Sequence, residues 1–583
     1  MIGLITMTPH TSRCIAWLLV TAITQVVHLV APAVSASRAP VRAPHAMVAS
    51  TNQLASEVGV DIMRRGGNAV DAAVATAFAL AVTYPAAGNL GGGGFMMIRL
   101  ANGKTTAIDY RETAPAVATR EMYLDANGKL IEGPGSSLVG YRASGVPGTV
   151  AGMELAWRKY GSGKISWKQL IEPAHKLAAR GFPVSHGLAR SLKGSEKLLN
   201  HNAESRRIFL RDGVYHGEGD TLRQPELAAT LKRLQADGPR EFYTGETARR
   251  IVADMQRHDG SITLADLSSY KPKEREPLLG TYRGYGIASM PPPSSGGALL
   301  IQMLNMLEGY DLRAMGHSSS ERYHLLVECM RRAFADRAEH MADTDFVAVP
   351  IARLIDKQYA AERRATISQT QASTSASIRA GNMAGAEAME TTHFTVIDAA
   401  GNAVSNTYTL NGSYGSGVTI AGTGVLLNNE MDDFASRPGT PNLYGLIQNE
   451  RNAIAPGKRP LSSMTPTFVL RPDGKLWFAL GSPGGPTIIN TVLQIVSNVI
   501  DHDMTIQQAV DAPRIHHQWL PDEVSYEPFG VSGDTQRALA ARGHKFAEKA
   551  RFMGDAQAIM IEPETGIRLG ASDSRNEGVA VGY

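Results

Sequence analysis
Two cysteines among 583 residues exclude a fold stapled by disulfides. Charge of one sign is lacking too: 58 basic side chains face 55 acidic ones, formally +3, so there is no basic excess to meet a nucleic acid. Charged residues make up only 19% and hydrophobic ones 43%, a globular composition that argues against disorder. Beyond the first 36 residues no stretch stays apolar for the roughly 18 residues that a membrane span requires. What the chain has in excess is glycine, 58 residues, or about 10% against about 7% in an average protein. The length allows three or four domains of about 150 residues, or fewer large ones.

The N-terminus reads as an export signal. Arg13 precedes a mostly apolar run from Cys14 to Val30, and Ala31-Pro32-Ala33-Val34-Ser35-Ala36 follows. Small residues at Val34 and Ala36 suit cleavage after Ala36. Thr21, Thr24, Gln25 and His28 dilute the run and favour a cleaved leader, residues 1–36, over a retained anchor. The expectation is a protein exported to the periplasm or beyond it. Losing Cys14 leaves Cys329 alone, so no internal disulfide can form.

Gly67-Asn68-Ala69 opens an alanine-rich stretch to Val82 that reads as a buried helix capped by Asn68 and stopped by Pro85. Gly91 to Gly94 then lead into the strand Phe95 to Ile98. No Lys-Ser or Lys-Thr follows, and the order is helix to strand, so close backbone packing fits better than a phosphate loop. Residues 150–370 read as mainly helical, broken by Pro291-Pro292-Pro293-Ser294-Ser295-Gly296-Gly297, a rigid loop of no evident chemistry. From Ser368 to Gly385 small polar residues without periodicity read as a mobile connector.

Immediately afterwards Thr391 to Ile397, Asp398 to Asn402 and Ala403 to Leu410 form a strand, a turn and a strand. Symmetry about residue 400 pairs Ile397 with Ala403, Thr395 with Ser405 and His393 with Thr407, and extends to Thr391 opposite Thr409. A second hairpin is expected over Thr465 to Leu470 and Leu476 to Leu480. Gly481 to Pro486 then enter a helix at about Thr487, with apolar residues at helical spacing from Ile488 to Val499. A glycine turn at a helix N-terminus offers free N–H groups to a phosphate or to the oxyanion of acyl transfer.

With these elements in place, the chain resembles the gamma-glutamyltranspeptidase family of autoprocessing N-terminal-nucleophile hydrolases. The residues that carry the resemblance are Thr391-Thr392-His393, Thr407 to Asn411, Leu427 to Phe434, Arg459 to Met464, Gly481 to Gly485 and Gly570 to Asp573. Asp109 to Glu112, Pro147 to Gly152 and Pro291 to Gly297 fit upstream. The resemblance implies an α+β, four-layer αββα sandwich shared by a large subunit, residues 37–390, and a small one, residues 391–583. It implies a self-cut between Glu390 and Thr391 that makes Thr391 the nucleophile. A free α-amine, with pKa about 7.7 to 8.0, can then take the hydroxyl proton, as an amide nitrogen cannot.

By the same resemblance Thr409 bonds the nucleophile, and Gly484 and Gly485 form the oxyanion hole. Arg111, Ser462 and Ser463 would hold the α-carboxylate of a γ-glutamyl group, and Asn411, Glu430 and Asp433 its α-ammonium. Some bacterial relatives have glutamine at the place of Glu430. Pro438 to Asn449, with Tyr444, resembles a lid loop. No cofactor or metal is implied, and His516-His517 has no evident third ligand. The implied activity is cleavage of glutathione and related donors, with water or an amino acid or peptide as acceptor. A related acylase acting on glutaryl-cephalosporins or poly-γ-glutamate stays open, as does a periplasmic γ-glutamyl-peptide binding protein that never matures.

Overall fold
The Asp398–Asn402 turn folds the chain back on itself into a hairpin that lies in the interior of one sheet, and the rest of the architecture is laid around that hairpin. The structure, a computed structural model, describes residues 37–378 and 391–583. The expected leader 1–36, the last part of the connector and Glu390 lie outside the described residues.

Fourteen strands form two sheets. They are β1 (Val41–Ala43), β2 (Met47–Ser50), β3 (Gly93–Arg99), β4 (Thr105–Asp109), β5 (Lys273–Arg275), β6 (Leu278–Tyr282) and β7 (Tyr285–Ser289). Beyond the connector come β8 (Thr392–Ile397), β9 (Ala403–Thr409), β10 (Thr467–Leu470), β11 (Leu476–Gly481), β12 (Gln557–Ile561), β13 (Arg568–Ser572) and β14 (Val579–Gly582). One sheet runs β14-β2-β8-β9-β3-β4-β5 and the other β1-β13-β12-β11-β10-β7-β6. Strands from either side of Thr391 therefore share both sheets.

The β8–β9 register is the expected one, with His393 opposite Thr407, Thr395 opposite Ser405 and Ile397 opposite Ala403. Side chains alternate faces along a strand, and here the two faces differ in kind. Phe394, Val396, Val404 and Tyr408 join a core with α1 (Gln53–Arg64) and α2 (Ala69–Thr83). His393, Thr395, Ser405 and Thr407 face the second sheet instead. Ser405 Oγ donates to Leu480 O at 2.9 Å, and Thr395 Oγ1 donates to Gln557 O at 3.0 Å. An apolar cluster that includes Met47, Phe95, Met97, Phe468, Ala479 and Ile559 fills the rest of the space between the sheets.

All of α2 is buried, and small alanines let it approach both the sheet and its helical neighbours. Asn68 caps it, accepting from the N–H groups of Val70 and Asp71. On the far side α3 (Gly296–Leu307), α4 (Ser320–His340) and α5 (Thr487–His502) cover the second sheet. The layers are α, β, β, α.

The glycine run packs as expected. A Cβ on Gly91 would lie 2.0 Å from Leu426 O, and one on Gly92 2.1 Å from Thr409 O. Three expectations need correction. The helical stretch of 150–370 is interrupted by β5, β6 and β7, because Arg283 and Gly284 (φ 47° and 86°) turn β6 into β7 as a tight hairpin. The connector is not loose as far as Ile378. Ser373 N–H and Oγ donate to Glu328, Ser375 N–H donates to Asp522, and the Trp519 indole donates to the carbonyls of Ser375 and Ile378. Small polar side chains without periodicity serve there as partners for charges buried beneath them. The second hairpin begins at Thr467 rather than Thr465, whose hydroxyl turns back to Ser463 O.

Candidate active site
Thr391 stands one residue beyond the last β8–β9 pair, on the polar face of the hairpin. It is 5% exposed, and its Oγ1 lies 3.3 Å from Thr409 Oγ1. Thr409 Oγ1 accepts from Asn411 N–H at 2.9 Å. The next residue on this face, His393, sits between the hydroxyls of Thr407 and Thr395 at 2.8 and 3.1 Å. Burial pulls its pKa down to about 3, so the ring is neutral.

The cavity at Thr391 measures about 20 Å³, room for a single water. Its charged wall is built from three distant segments. Arg111 is fully buried and divides its fork between Glu430, through Nη1, and Asp433, through Nη2. Its Nε donates to Pro460 O at 3.2 Å, which ties it to the loop carrying Ser462 and Ser463. Arg111 is held above its ordinary pKa: burial opposes the charge, but Glu430, Asp433 and Glu112 outweigh it.

Glu430 is pushed well above the usual carboxylate range by burial, with Glu112 and Asp433 adding to the push against Arg111. Glu112, 3.9 Å from Arg111 Nη1, rises to about 7, chiefly through burial, and neither of its oxygens has a hydrogen-bond partner among the described residues. The acidic turn is fastened by the asparagines before it. Asn428 Oδ1 accepts from Glu430 N–H at 3.0 Å and from Gly145 N–H at 2.9 Å, and its Nδ2 donates to Gly91 O at 2.8 Å.

Pro291 to Gly297 now has a structural role. Ser462 N–H donates to Pro293 O at 2.9 Å, Ser295 N–H and Oγ both donate to Ser462 O at 2.8 Å, and Ser294 Oγ donates to Met464 O at 2.6 Å. The proline-glycine loop is a rigid jig against which the two serines are set.

The lid is shut. The Tyr444 hydroxyl donates to Asn411 O at 2.7 Å, and Asn442 Nδ2 donates to Asp433 Oδ1 at 3.1 Å. Its ring covers Gly485, where a Cβ would fall 2.7 Å from Tyr444 Cδ1. Gly484 and Gly485 lie in the left-handed half of backbone space (φ 129° and 53°), where glycine is at ease, and α5 starts two residues later.

Arg111, Thr391, Thr409, Asn411, Glu430, Asp433, Tyr444, Ser462, Ser463 and Gly485 all border this one cavity, whereas Gly484 stands just behind it. Sequence reasoning missed Arg337, which borders the cavity from α4, and the apolar wall of Leu446, Met464 and Ile488. Arg337 carries no local signal, since it lies in a helix whose burial is set by tertiary packing. His516 and His517 are engaged elsewhere, with Asn490 and Gln518 and with Trp519 and Asp522 respectively. Among the described residues no three His, Cys, Asp or Glu side chains converge as a metal would need.

Chemically, a hydroxyl pair stands next to a compact set of cations and anions. In this closed state they neutralise one another: the guanidinium of Arg111 fills the place of a ligand ammonium, and Glu430 and Asp433 fill the place of a ligand carboxylate. A zwitterion presenting both groups on one carbon could replace these internal contacts pair for pair.

The family model of gamma-glutamyltranspeptidase matches residues 55–583. A glutathione hydrolase proenzyme of Escherichia coli (strain K12) is 50% identical over 549 residues, 93% of each chain. Among solved structures, a gamma-glutamyltranspeptidase of Helicobacter pylori is 47% identical with a TM-score of 0.55, covering 57% of this chain and 94% of its own. A cephalosporin acylase from Bacillus halodurans is 28% identical with a TM-score of 0.83, covering 95% of this chain and 98% of its own.

Proposed function
The chain belongs to the gamma-glutamyltranspeptidase family and is an autoprocessing glutathione hydrolase and γ-glutamyltransferase, and from that premise we propose how its own residues do the work. The chain cuts itself between Glu390 and Thr391, giving subunits 37–390 and 391–583. The new α-amine of Thr391 takes the proton of its own hydroxyl, directly or through water. Thr391 Oγ1 then attacks the γ-carbonyl carbon of the donor. Gly484 and Gly485 N–H groups receive the oxyanion as it develops, and the Thr409 hydroxyl steadies the attacking oxygen. Collapse expels the amine with a proton and leaves a γ-glutamyl-threonine ester. Water or an amino acid or peptide resolves the ester, giving hydrolysis or transfer.

Donor recognition uses the charged wall. Arg111, with Ser462 and Ser463, takes the α-carboxylate, for which a planar fork is suited. Glu430 and Asp433, with Asn411, take the α-ammonium. The observation that carries this reading is the single cavity that gathers Thr391, Thr409, Arg111, Glu430 and Asp433. It also favours γ-glutamyl donors over glutaryl ones, which lack the amine that two buried carboxylates await. Relative rates on γ-glutamyl and glutaryl anilides test that preference.

Among the described residues no helix is long and apolar enough to cross a membrane. Export to the periplasm through the leader 1–36 completes the proposal. Denaturing electrophoresis is the test: from 62.4 kDa over 583 residues, active material should give bands at roughly 38 and 21 kDa, with N-termini at Ser37 and Thr391. A lone band near 59 kDa in active enzyme would end the mechanism. Thr391→Ala should abolish both the cut and turnover; retained γ-glutamyl hydrolysis would move the nucleophile elsewhere.

A further inference from the structure
Arg337 borders the cavity but takes no part in the chemistry described so far. It is 2% exposed. Its Nε donates to Ser295 Oγ at 2.9 Å, and its Nη2 lies 3.4 Å from Ser463 Oγ. Nη1 is buried with no partner among the described residues. Leaving the N–H groups of a buried cation unmet is costly, and burial draws the Arg337 pKa down to about 10, with Arg111 adding to the fall against the pull of Asp433. It therefore remains a cation at neutral pH.

Arg111 differs in that its fork is already filled by Glu430 and Asp433. In the closed cavity the open guanidinium edge belongs to Arg337, next to a serine of the donor site. A strut that merely supported the Ser462–Ser463 loop through Ser295 would have no use for an unmet, buried Nη1 on a residue that borders the cavity. An anion arriving there supplies what that edge lacks.

We propose that Arg337 is a specificity-determining residue of the donor site: with Ser463 it takes the entering α-carboxylate, which then displaces Glu430 and Asp433 from Arg111 and frees both for the α-ammonium. This rests on the γ-glutamyl reading of the cavity. The exchange makes or breaks no covalent bond. The discriminating ligands are L-glutamate and 4-aminobutanoate, which is glutamate without the α-carboxylate.

The experiment measures matured wild type, Arg337→Gln and Arg337→Lys on γ-glutamyl p-nitroanilide, with both ligands as competitive inhibitors. For Arg337→Gln the KM should rise at least about tenfold while kcat stays within about threefold. The inhibition constant of L-glutamate should rise by the same factor and that of 4-aminobutanoate should not move. Arg337→Lys, which keeps the charge but loses the fork, should fall between. An unchanged KM, or a rise for 4-aminobutanoate in step with L-glutamate, overturns the proposal. Should the Gln variant fail to mature, the Lys variant decides by the same comparison. A wild type inactive on the anilide would sink the γ-glutamyl reading itself, whereas an active wild type with unaffected variants sinks only the role of Arg337.

Discussion

Tyr444→Phe deletes one oxygen and asks whether that oxygen holds the lid. The hydroxyl donates to Asn411 O at 2.7 Å inside a wall where Tyr444 is 8% exposed. Removing it leaves that carbonyl without its side-chain donor, while the ring keeps its seat on Gly485. The other ties stay: Gln518 Nε2 to Tyr444 O at 3.0 Å, Asn442 Nδ2 to Asp433 Oδ1 at 3.1 Å and Leu443 N–H to Asp432 Oδ2 at 2.7 Å. The closed state should lose about 1 to 2 kcal/mol, so the open fraction rises about 5- to 30-fold at about 1.4 kcal/mol per factor of ten. A cavity of about 20 Å³ cannot admit a glutamyl group, so opening precedes donor entry. The onset rate of a covalent γ-glutamyl inhibitor, followed by progress curves, should rise toward that factor. An onset within twofold of wild type, in material that has matured into both chains, would refute the lid argument.

Other expectations follow from the same cavity. Thr409→Val removes the hydroxyl beside Thr391 and orphans Asn411 N–H, and should lower kcat about 10- to 100-fold, whereas Thr409→Ser should restore most of it; single-turnover acylation is the check. Glu112 has a folded pKa of about 7 against an ordinary 4.5, so the folded state binds more protons than the unfolded between those values and loses stability as pH rises through them. In Thr391→Ala material, which unfolds as one chain, Glu112→Gln should remove that loss. Its denaturation free energy relative to the parent should improve by up to about 3 kcal/mol between pH 4 and pH 8; an equal difference at both pH values would count against it. With the α-amine as base, kcat/KM should rise with pH through about 7.7 to 8.0 and then level, and a profile flat from pH 6 to 9 would point to another base.

What could be read from the sequence is what is local. The β8–β9 register follows from a turn and strict alternation, and α5 follows from a glycine turn and a 3.6-residue period. The tight packing of Gly91 to Gly94 was likewise open to reading. The sheet order was not, because β2 pairs with β8 and β1 with β13 across hundreds of residues, and buried strands leave no alternation to signal such partners. The motif residues were legible through family resemblance, but their closed state was not. Nothing in Arg111, Glu430 or Asp433 taken singly tells that they neutralise one another. Arg337, Glu112 and the work of Pro291 to Gly297 arise only when α4, the acidic turn and the serine loop are brought together.

The sharing of both sheets by strands from either side of Thr391 bears on the protein's history. A cut there severs the backbone between two segments woven through the same two sheets, so it separates nothing. Before the cut, folding is a one-molecule process in which every ladder closes within a chain whose ends are already joined. After it, the same fold could be regained only by a second-order encounter of two partners, each lacking neighbours for its own strands. The matured enzyme is thus guarded by a slow rate of falling apart more than by an easy way back. The uncut chain acts as a single-use assembly guide, and each active molecule is evidence that its folding succeeded once.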